Sequence, residues 1–304
     1  MLVNAIIGHT IGDTIGVPFE MMPRNRLKKF PIKEIYDENK YSDDTVMTLA
    51  TMKAIIDNGG KINYEDIMYE FYLWLSEGKY TPDGMPYGFG NTTFRAVNNF
   101  SLGFDALDCG IDEEYANGNG ALMRMLPIIF YLHSINAEEK KILSVVNNAT
   151  RLTHAHEINK IGTYIFVRYC LFLLDGHDKF DSYNMIKELN YKIFHKKALR
   201  KYKRILKEDI SKYREKDIKS GIAIYETLEA VLWSILTTNG FKDTLLKAVN
   251  LGGDTDTVGA ITGGVCGILY PNEIPKEWEN KIKNIKFIKK LSKDFEESLK
   301  GNSK

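Results

Sequence analysis

The sequence has little cysteine, almost no net charge and no long apolar run. Its 3 cysteines, Cys109, Cys170 and Cys266, are odd in number and far apart in 304 residues. That spacing excludes a disulfide framework and paired zinc ligands, and fits a reducing cytoplasm. A net charge of +1 lacks the basic excess of a nucleic-acid binder. The strongest apolar stretch, Tyr164 to Leu174, contains Arg168 and is too short to cross a bilayer. The N-terminus has no basic leader, and Asn4, His9 and Asp13 interrupt its apolar positions, which excludes a signal peptide. Sustained period-two alternation, internal repeats and Pro-, Gly- or Ser-rich linkers are also lacking. The expectation is a soluble, cytoplasmic, monomeric all-α protein, one domain over residues 1–304. Its 44% hydrophobic content suffices for a sizeable core.

What is present is helical periodicity. Residues 2–16 carry apolar side chains at helical spacing, with Gly8, Gly12 and Gly16 forming a bare stripe. Because glycine weakens a helix, that stripe predicts close approach of another backbone. Gly259, Gly263 and Gly267 repeat the spacing near the other end. Further helices are expected over 63–78, 137–151, 221–236, 241–250 and 257–270, and from about Thr153 to Leu174. Residues 178–219, rich in Lys, Tyr, Asp and Glu, read as exposed helices or a variable insertion. Residues 277–304 read as a charged final helix with a frayed tail.

Two hydroxyl–acid clusters stand out, each at a helix start. Ser42-Asp43-Asp44-Thr45 opens one helix, and Gly252-Gly253-Asp254-Thr255-Asp256-Thr257 ends one helix and opens another. Acids there complement the helix dipole, and Ser42 reads as an N-cap. Asp-x-Asp with flanking hydroxyls offers more hard oxygen than a cap needs, as a Mg²⁺, Mn²⁺ or Ca²⁺ site does. An EF-hand is excluded: counting from Asp254, position twelve is Val265 where a bidentate Glu is required. Glu20 follows Pro18 in a loop; its alternative reading, like that of Asp13, is an ordinary surface acid. Gly88-Phe89-Gly90-Asn91-Thr92 and Asn117-Gly118-Asn119-Gly120 are flexible turns before helices that could cradle phosphate, though neither is a P-loop. Arg124 sits among apolar residues and needs a partner if buried, either an ion pair or a ligand. His154-Ala155-His156 lacks a nearby third metal ligand and suggests at most one functional histidine.

Taken in order, Gly12-Asp13-x-x-Gly16-x-Pro18-x-Glu20, Ser42-Asp43-Asp44-Thr45, Asn119-Gly120-Ala121-x-Met123-Arg124, Thr153-His154 and Gly252 to Thr257 resemble the ADP-ribosylglycohydrolase family. That family includes dinitrogenase reductase-activating glycohydrolase and the serine- and arginine-ADP-ribosyl hydrolases. Five motifs in order across most of the chain are specific where each alone is weak. The resemblance implies a compact single-domain, multi-helix orthogonal bundle with two Mg²⁺ or Mn²⁺ ions. By motif match Ser42, Asp43, Asp44, Asp254, Asp256 and Thr257 would hold the ions. Glu20 would be the mobile catalytic acid, with Asp43 or Asp256 sharing acid–base roles. Gly88, Gly90, Asn91 and Thr92 would contact diphosphate and ribose; Asn119, Gly120 and His154 would make further substrate contacts. The implied reaction cleaves the C1″ bond of an ADP-ribosylated protein or small ADP-ribosyl conjugate, with no membrane or nucleic-acid partner. The alternatives are a two-metal phosphohydrolase of nucleotide diphosphates and a non-catalytic ADP-ribose binder.

Overall fold

Two helices that almost lack side chains where they meet form the axis of the molecule. In the computed structural model, which describes residues 1–36 and 40–302, helix α1 spans Leu2–Gly16. Pro18 turns the chain out of α1 into a short 3₁₀ segment, Val17–Phe19. Then follow α2 (Arg24–Lys29), α3 (Asp43–Asp57), α4 (Tyr64–Glu77) and α5 (Asn91–Ser101). Helices α6 (Leu126–Ser134), α7 (Glu139–Arg151), α8 (Glu157–Leu174) and α9 (Lys179–Glu188) form the middle of the chain. Two short helices, α10 (Lys196–Leu199) and α11 (Lys203–Lys207), lead to α12 (Ile224–Leu236) and α13 (Phe241–Val249). The chain ends with α14 (Thr255–Leu269), α15 (Lys276–Lys281) and α16 (Ile285–Leu299). The protein is 66% helical, and among the described residues it has three isolated bridges but no strand.

The glycine stripes meet as their spacing suggests. A Cβ on Gly12 would run into the Gly259 carbonyl, one on Gly8 into that of Gly263, and one on Gly267 into that of Asn4. Only glycine lets α1 and α14 approach so closely, and both are buried along nearly their whole length. Helices α3, α13 and α16 pack around this pair. One hydrophobic cluster runs from Leu2 to Leu299.

Boundaries follow capping chemistry. Ser42 caps α3 through the Asp44 amide, Asn63 caps α4 through the Glu65 amide, and Gly78 ends α4 with a left-handed φ of 68°. Helix α8 starts later than its periodicity suggests, at Glu157, because His156 caps it and accepts from the Ile158 amide. His154 is left in a bridge with Ile111.

Residues 178–219 differ from expectation. They are not an exposed excursion: Tyr183, Ile186, Tyr202, Ile205, Leu206 and Ile210 are buried in the common core. Most of their lysines are exposed, Lys179 being buried against the Ile235 and Thr238 carbonyls, and this composition masks the buried positions in a sequence reading. The C-terminal stretch is two helices where one was expected, and α16 buries Ile288, Leu291 and Phe295. The tail beyond residue 302 lies outside the described residues.

Candidate active site

The close α1–α14 contact sets the positions of the acids. Asp13 is one residue from Gly12 on α1, and Asp256 lies three residues before Gly259 on α14. Asp13 is fully buried and accepts four donors from the start of α3: the Ser42 amide at 2.9 and 3.0 Å, the Ser42 hydroxyl at 2.9 Å, the Thr45 amide at 3.0 Å and the Thr45 hydroxyl at 2.6 Å. It thus anchors the N-terminus of α3 to α1. The alternative reading of Asp13 as an ordinary surface acid does not hold: it is buried, as its place beside the bare stripe signals. His9, one turn earlier, approaches the Asp44 carbonyl at 3.2 Å, and burial lowers its pKa to about 4, so it is neutral there.

The second acidic cluster is pinned as firmly. The Met21 amide donates to the Gly253 carbonyl at 2.7 Å and the Gly253 amide to that of Met22 at 2.9 Å. Gly252 and Gly253 adopt φ of 71° and 75°, and a Cβ on Gly253 would clash with the Ser220 backbone. The Asp254 amide donates to the Ser220 carbonyl at 2.8 Å, and the Thr255 hydroxyl to the Gly16 carbonyl at 2.8 Å. Glu20 lies exposed one residue before this bridge, over the acids.

The two clusters face one another. The Thr257 hydroxyl donates to Asp44 Oδ2 at 3.3 Å, and the Ser42 hydroxyl lies 3.1 Å from the same oxygen. Asn119 Nδ2 donates to Asp254 Oδ2 at 2.6 Å and to the Thr227 hydroxyl at 2.9 Å. Gly88 covers the other side, with φ 84°; a Cβ there would sit 2.7 Å from Asp43 Oδ1. Thus Ser42, Asp43, Asp44, Asp254, Thr257, Asn119 and Gly88 come together, with Asp256 and Glu20 close enough to act on their charges.

Gly120 and His154 form an adjoining group. A Cβ on Gly120 would stand 2.9 Å from His154 Cε1 and 3.1 Å from the Thr93 hydroxyl. His154 is buried beside Thr153 and Arg124, which lowers its pKa to about 3 and keeps it neutral. Gly90, Asn91 and Thr92 continue from Gly88 into the start of α5, Asn91 being exposed. Among the described residues Arg124 forms no ion pair, the first of its two expected alternatives. It is fully buried, donates to the Ala149 carbonyl and Thr153 hydroxyl, and lies 4.9 Å over the Phe71 ring, with no paired carboxylate among the described residues.

The electrostatics is that of acids crowded without counter-charge. Burial, then the charges of Asp13 and Asp254, pushes Asp43 well above the usual carboxylate range. Burial followed by Asp13 and Asp256 does the same to Asp44, and burial followed by Asp254 does so to Asp256. Asp13 rises to about 6 by burial despite its four donors. Glu20 is raised by partial burial and by Asp254. Among the described residues, no three acid, His or Cys side chains already stand as a metal-binding group. The residues nonetheless fit hard cations: Asp44 Oδ1 and Asp256 Oδ1, one from each cluster, are buried without a hydrogen-bond partner. Ser42, Asp43, Asp44, Asp254, Asp256 and Thr257 could supply carboxylate and hydroxyl oxygens to them.

A family model described as ADP-ribosylglycohydrolase matches residues 2–304. This chain belongs to the ADP-ribosylglycohydrolase family. It is 27% identical to "ADP-ribosylarginine hydrolase Tri1" of Serratia proteamaculans, covering 96% of this chain and 78% of that protein. It is 26% identical to "ADP-ribosyl-[dinitrogen reductase] glycohydrolase" of Rhodospirillum rubrum, covering 92% and 89%. "ADP-ribosylhydrolase ARH3" of Mus musculus is 24% identical, covering 85% and 78%. A solved "ADP-ribosylglycohydrolase-related protein complex" superposes over 100% of this chain and 98% of its own, with a TM-score of 0.80 at 23% identity, and shares the fold. No helix among the described residues is long and apolar enough to cross a membrane.

Proposed function

We propose that this protein is a metal-dependent hydrolase of ADP-ribosyl conjugates, releasing ADP-ribose from a modified protein or a small conjugate. Family membership and the names of its relatives support the reaction class. The observation that carries the metal dependence is the facing of two acid clusters whose buried oxygens, Asp44 Oδ1 and Asp256 Oδ1, have no partner.

Two Mg²⁺ or Mn²⁺ ions on Ser42, Asp43, Asp44, Asp254, Asp256 and Thr257 would supply Lewis acidity and a template for ribose hydroxyls. The remaining work falls to this chain's own groups. Asp13 fixes the Ser42 hydroxyl and the start of α3. Asn119 fixes Asp254, and Thr227 in turn holds the Asn119 amide. The turn at Gly88 has no Cβ, so a ribose or phosphate can lie close above Asp43. The exposed amides at the start of α5 suit a diphosphate. Hydrolysis breaks the bond between C1″ and the acceptor, adds the hydroxyl of water to C1″ and delivers a proton to the acceptor. Glu20 is the group for that proton: it is exposed on the turn joined to Gly253, and partial burial and the charge of Asp254 raise its pKa, which favours a carboxyl that can donate. Asp43 or Asp256 is the complementary carboxylate.

Incubation with a panel of ADP-ribosyl conjugates, with arginine-, serine- and other linkages, followed by mass spectrometry of the products, tests the reading. Free ADP-ribose, formed only with Mg²⁺ or Mn²⁺, is the expected product. AMP in its place would indicate a phosphohydrolase, and no turnover of any conjugate would indicate a binding protein.

A further inference from the structure

A groove of about 540 Å³ opens on the outer side of the backbone that carries Asp254. Its walls include Lys28 from α2 and Lys216 and Lys219 from the segment before α12, with Ser220 and Gly253 at its floor. That floor is part of the site described above, since the Ser220 carbonyl holds the Asp254 amide. The lysine side chains are exposed. Lys28 pairs with Glu215 at 3.2 Å and Lys219 with Glu226 at 3.2 Å, whereas among the described residues no acid pairs with Lys216. Arg24 is not available as a further charge. Its guanidinium is spent on the carbonyls of Leu251, Glu215 and Ile218, tying the groove walls together. Helix α2, Arg-Asn-Arg-Leu-Lys-Lys, adds Arg26 and Lys29 with no acid of its own.

Two exposed apolar residues, Met21 and Ile222, are carried on segments that adjoin the groove lining in sequence. Met21 is 64% exposed and Ile222 59% exposed. Both belong to the segments that bracket Gly253 and Asp254: Met21 bonds to Gly253, and Ile222 lies two residues past Ser220. Met21 is held there at a left-handed φ of 59°, a conformation uncommon outside glycine and one that the Gly253 bridge enforces. Nucleic acid would call for a basic stripe without interspersed acids, and Glu215, Asp217 and Glu226 interrupt this one.

We propose that this face docks the acceptor polypeptide: an acidic segment flanking the ADP-ribosylated residue lies along Lys28, Lys216 and Lys219, with an apolar side chain against Met21 and Ile222. The proposal rests on the hydrolase reading. It assigns acceptor recognition to the groove that shares Ser220 and Gly253 with the backbone holding Asp254.

The test compares three substrates sharing whichever linkage is active: a small conjugate without peptide, an acidic peptide and a neutral peptide of equal length. Wild type should favour the acidic peptide by about tenfold or more in kcat/KM, and added salt should shrink that preference. Lys216→Glu with Lys219→Glu should abolish the preference through KM and leave the small conjugate unchanged. Ile222→Asp should weaken both peptides and spare the small conjugate. Equal turnover of both peptides by wild type overturns the proposal. So does an equal loss on the small conjugate, which would assign the lysines to ADP-ribose itself. A preference for an ADP-ribosylated oligonucleotide over the acidic peptide overturns it in favour of nucleic acid. Absence of ADP-ribose from every substrate removes the hydrolase reading and this inference with it, whereas turnover of the small conjugate alone removes only the inference.

Discussion

Gly12 of α1 and Gly259 of α14 meet backbone to backbone, so that a Cβ on either would collide with the carbonyl of the other. This contact sets the distance between Asp13 and Asp256, and through Asp13 the position of the whole start of α3. Gly12→Val and Gly263→Val should therefore overpack the axis and destabilise by about 1–3 kcal/mol or more. Thermal melts check this, and unchanged midpoints in both variants would contradict the role given to the stripes.

The acid cluster makes stability depend on pH in an unusual direction. A carboxyl whose folded pKa lies above its unfolded value holds its proton more tightly when folded. Its stabilisation is present below the unfolded pKa and is lost as pH rises through the folded one. Burial raises Asp13 from 3.8 to about 6 and pushes Asp43, Asp44 and Asp256 well above the usual carboxylate range. Metal-free protein should thus lose stability as pH rises through roughly pH 4–6, where Asp13 ionises, and continue to lose it as the other buried acids ionise above that. Mg²⁺ or Mn²⁺ should restore it most at the upper end, since cations bind the ionised acids. Calorimetric melts with and without chelator across that range test the sign. Circular dichroism should show the helices intact after chelation, because the core is large without any metal; loss of helicity would mean a structural site.

Asn119 is a positioning residue for Asp254, through the 2.6 Å bond from its amide. Asn119→Ala should leave the fold intact and weaken metal affinity by about 10–100-fold, the usual cost of removing a partner that orients a ligand. Titration calorimetry with Mn²⁺ measures it; unchanged affinity would free Asp254 from this role.

The helices and the two acid clusters were legible because both are written locally. Ser42-Asp43-Asp44 and Asp254-x-Asp256 carry their own capping geometry, and the glycine stripes announce their contact by spacing. Asp13 was harder to read, since nothing local distinguishes a buried acid from a surface one; its four donors come from residues 29 and 32 positions away. Arg124 was ambiguous for the same reason, its partners lying on α7 and after it and in the Phe71 ring. Residues 178–219 misled by composition, because lysine stems cover a buried face that only the tertiary fold reveals. Nothing local distinguishes Met21 and Ile222 from core residues, yet both are exposed, Met21 being held by its bond to the Gly253 carbonyl.

The roles of Glu20 and Asp256 can be separated by substitution. Asp256 is buried among the facing acids with one oxygen unpartnered, so Asp256→Asn removes ligand charge from the cluster. It should weaken the binding of Mn²⁺ and of ADP-ribose together, since cation and ribose would share that site. Glu20 lies outside the cluster on an exposed loop, and its carboxyl senses Asp254 only through charge. Glu20→Gln should keep both affinities and lower turnover by about 10²–10⁴-fold, the usual cost of a lost general acid or base. ADP-ribose should inhibit wild type as product, with an affinity that falls when Mg²⁺ or Mn²⁺ is chelated. Calorimetry with ADP-ribose, with and without metal, and initial rates on the active conjugate resolve the pair. Metal-independent ADP-ribose binding would break the link between acids and sugar, and full activity in Glu20→Gln would move proton transfer to Asp43 or Asp256.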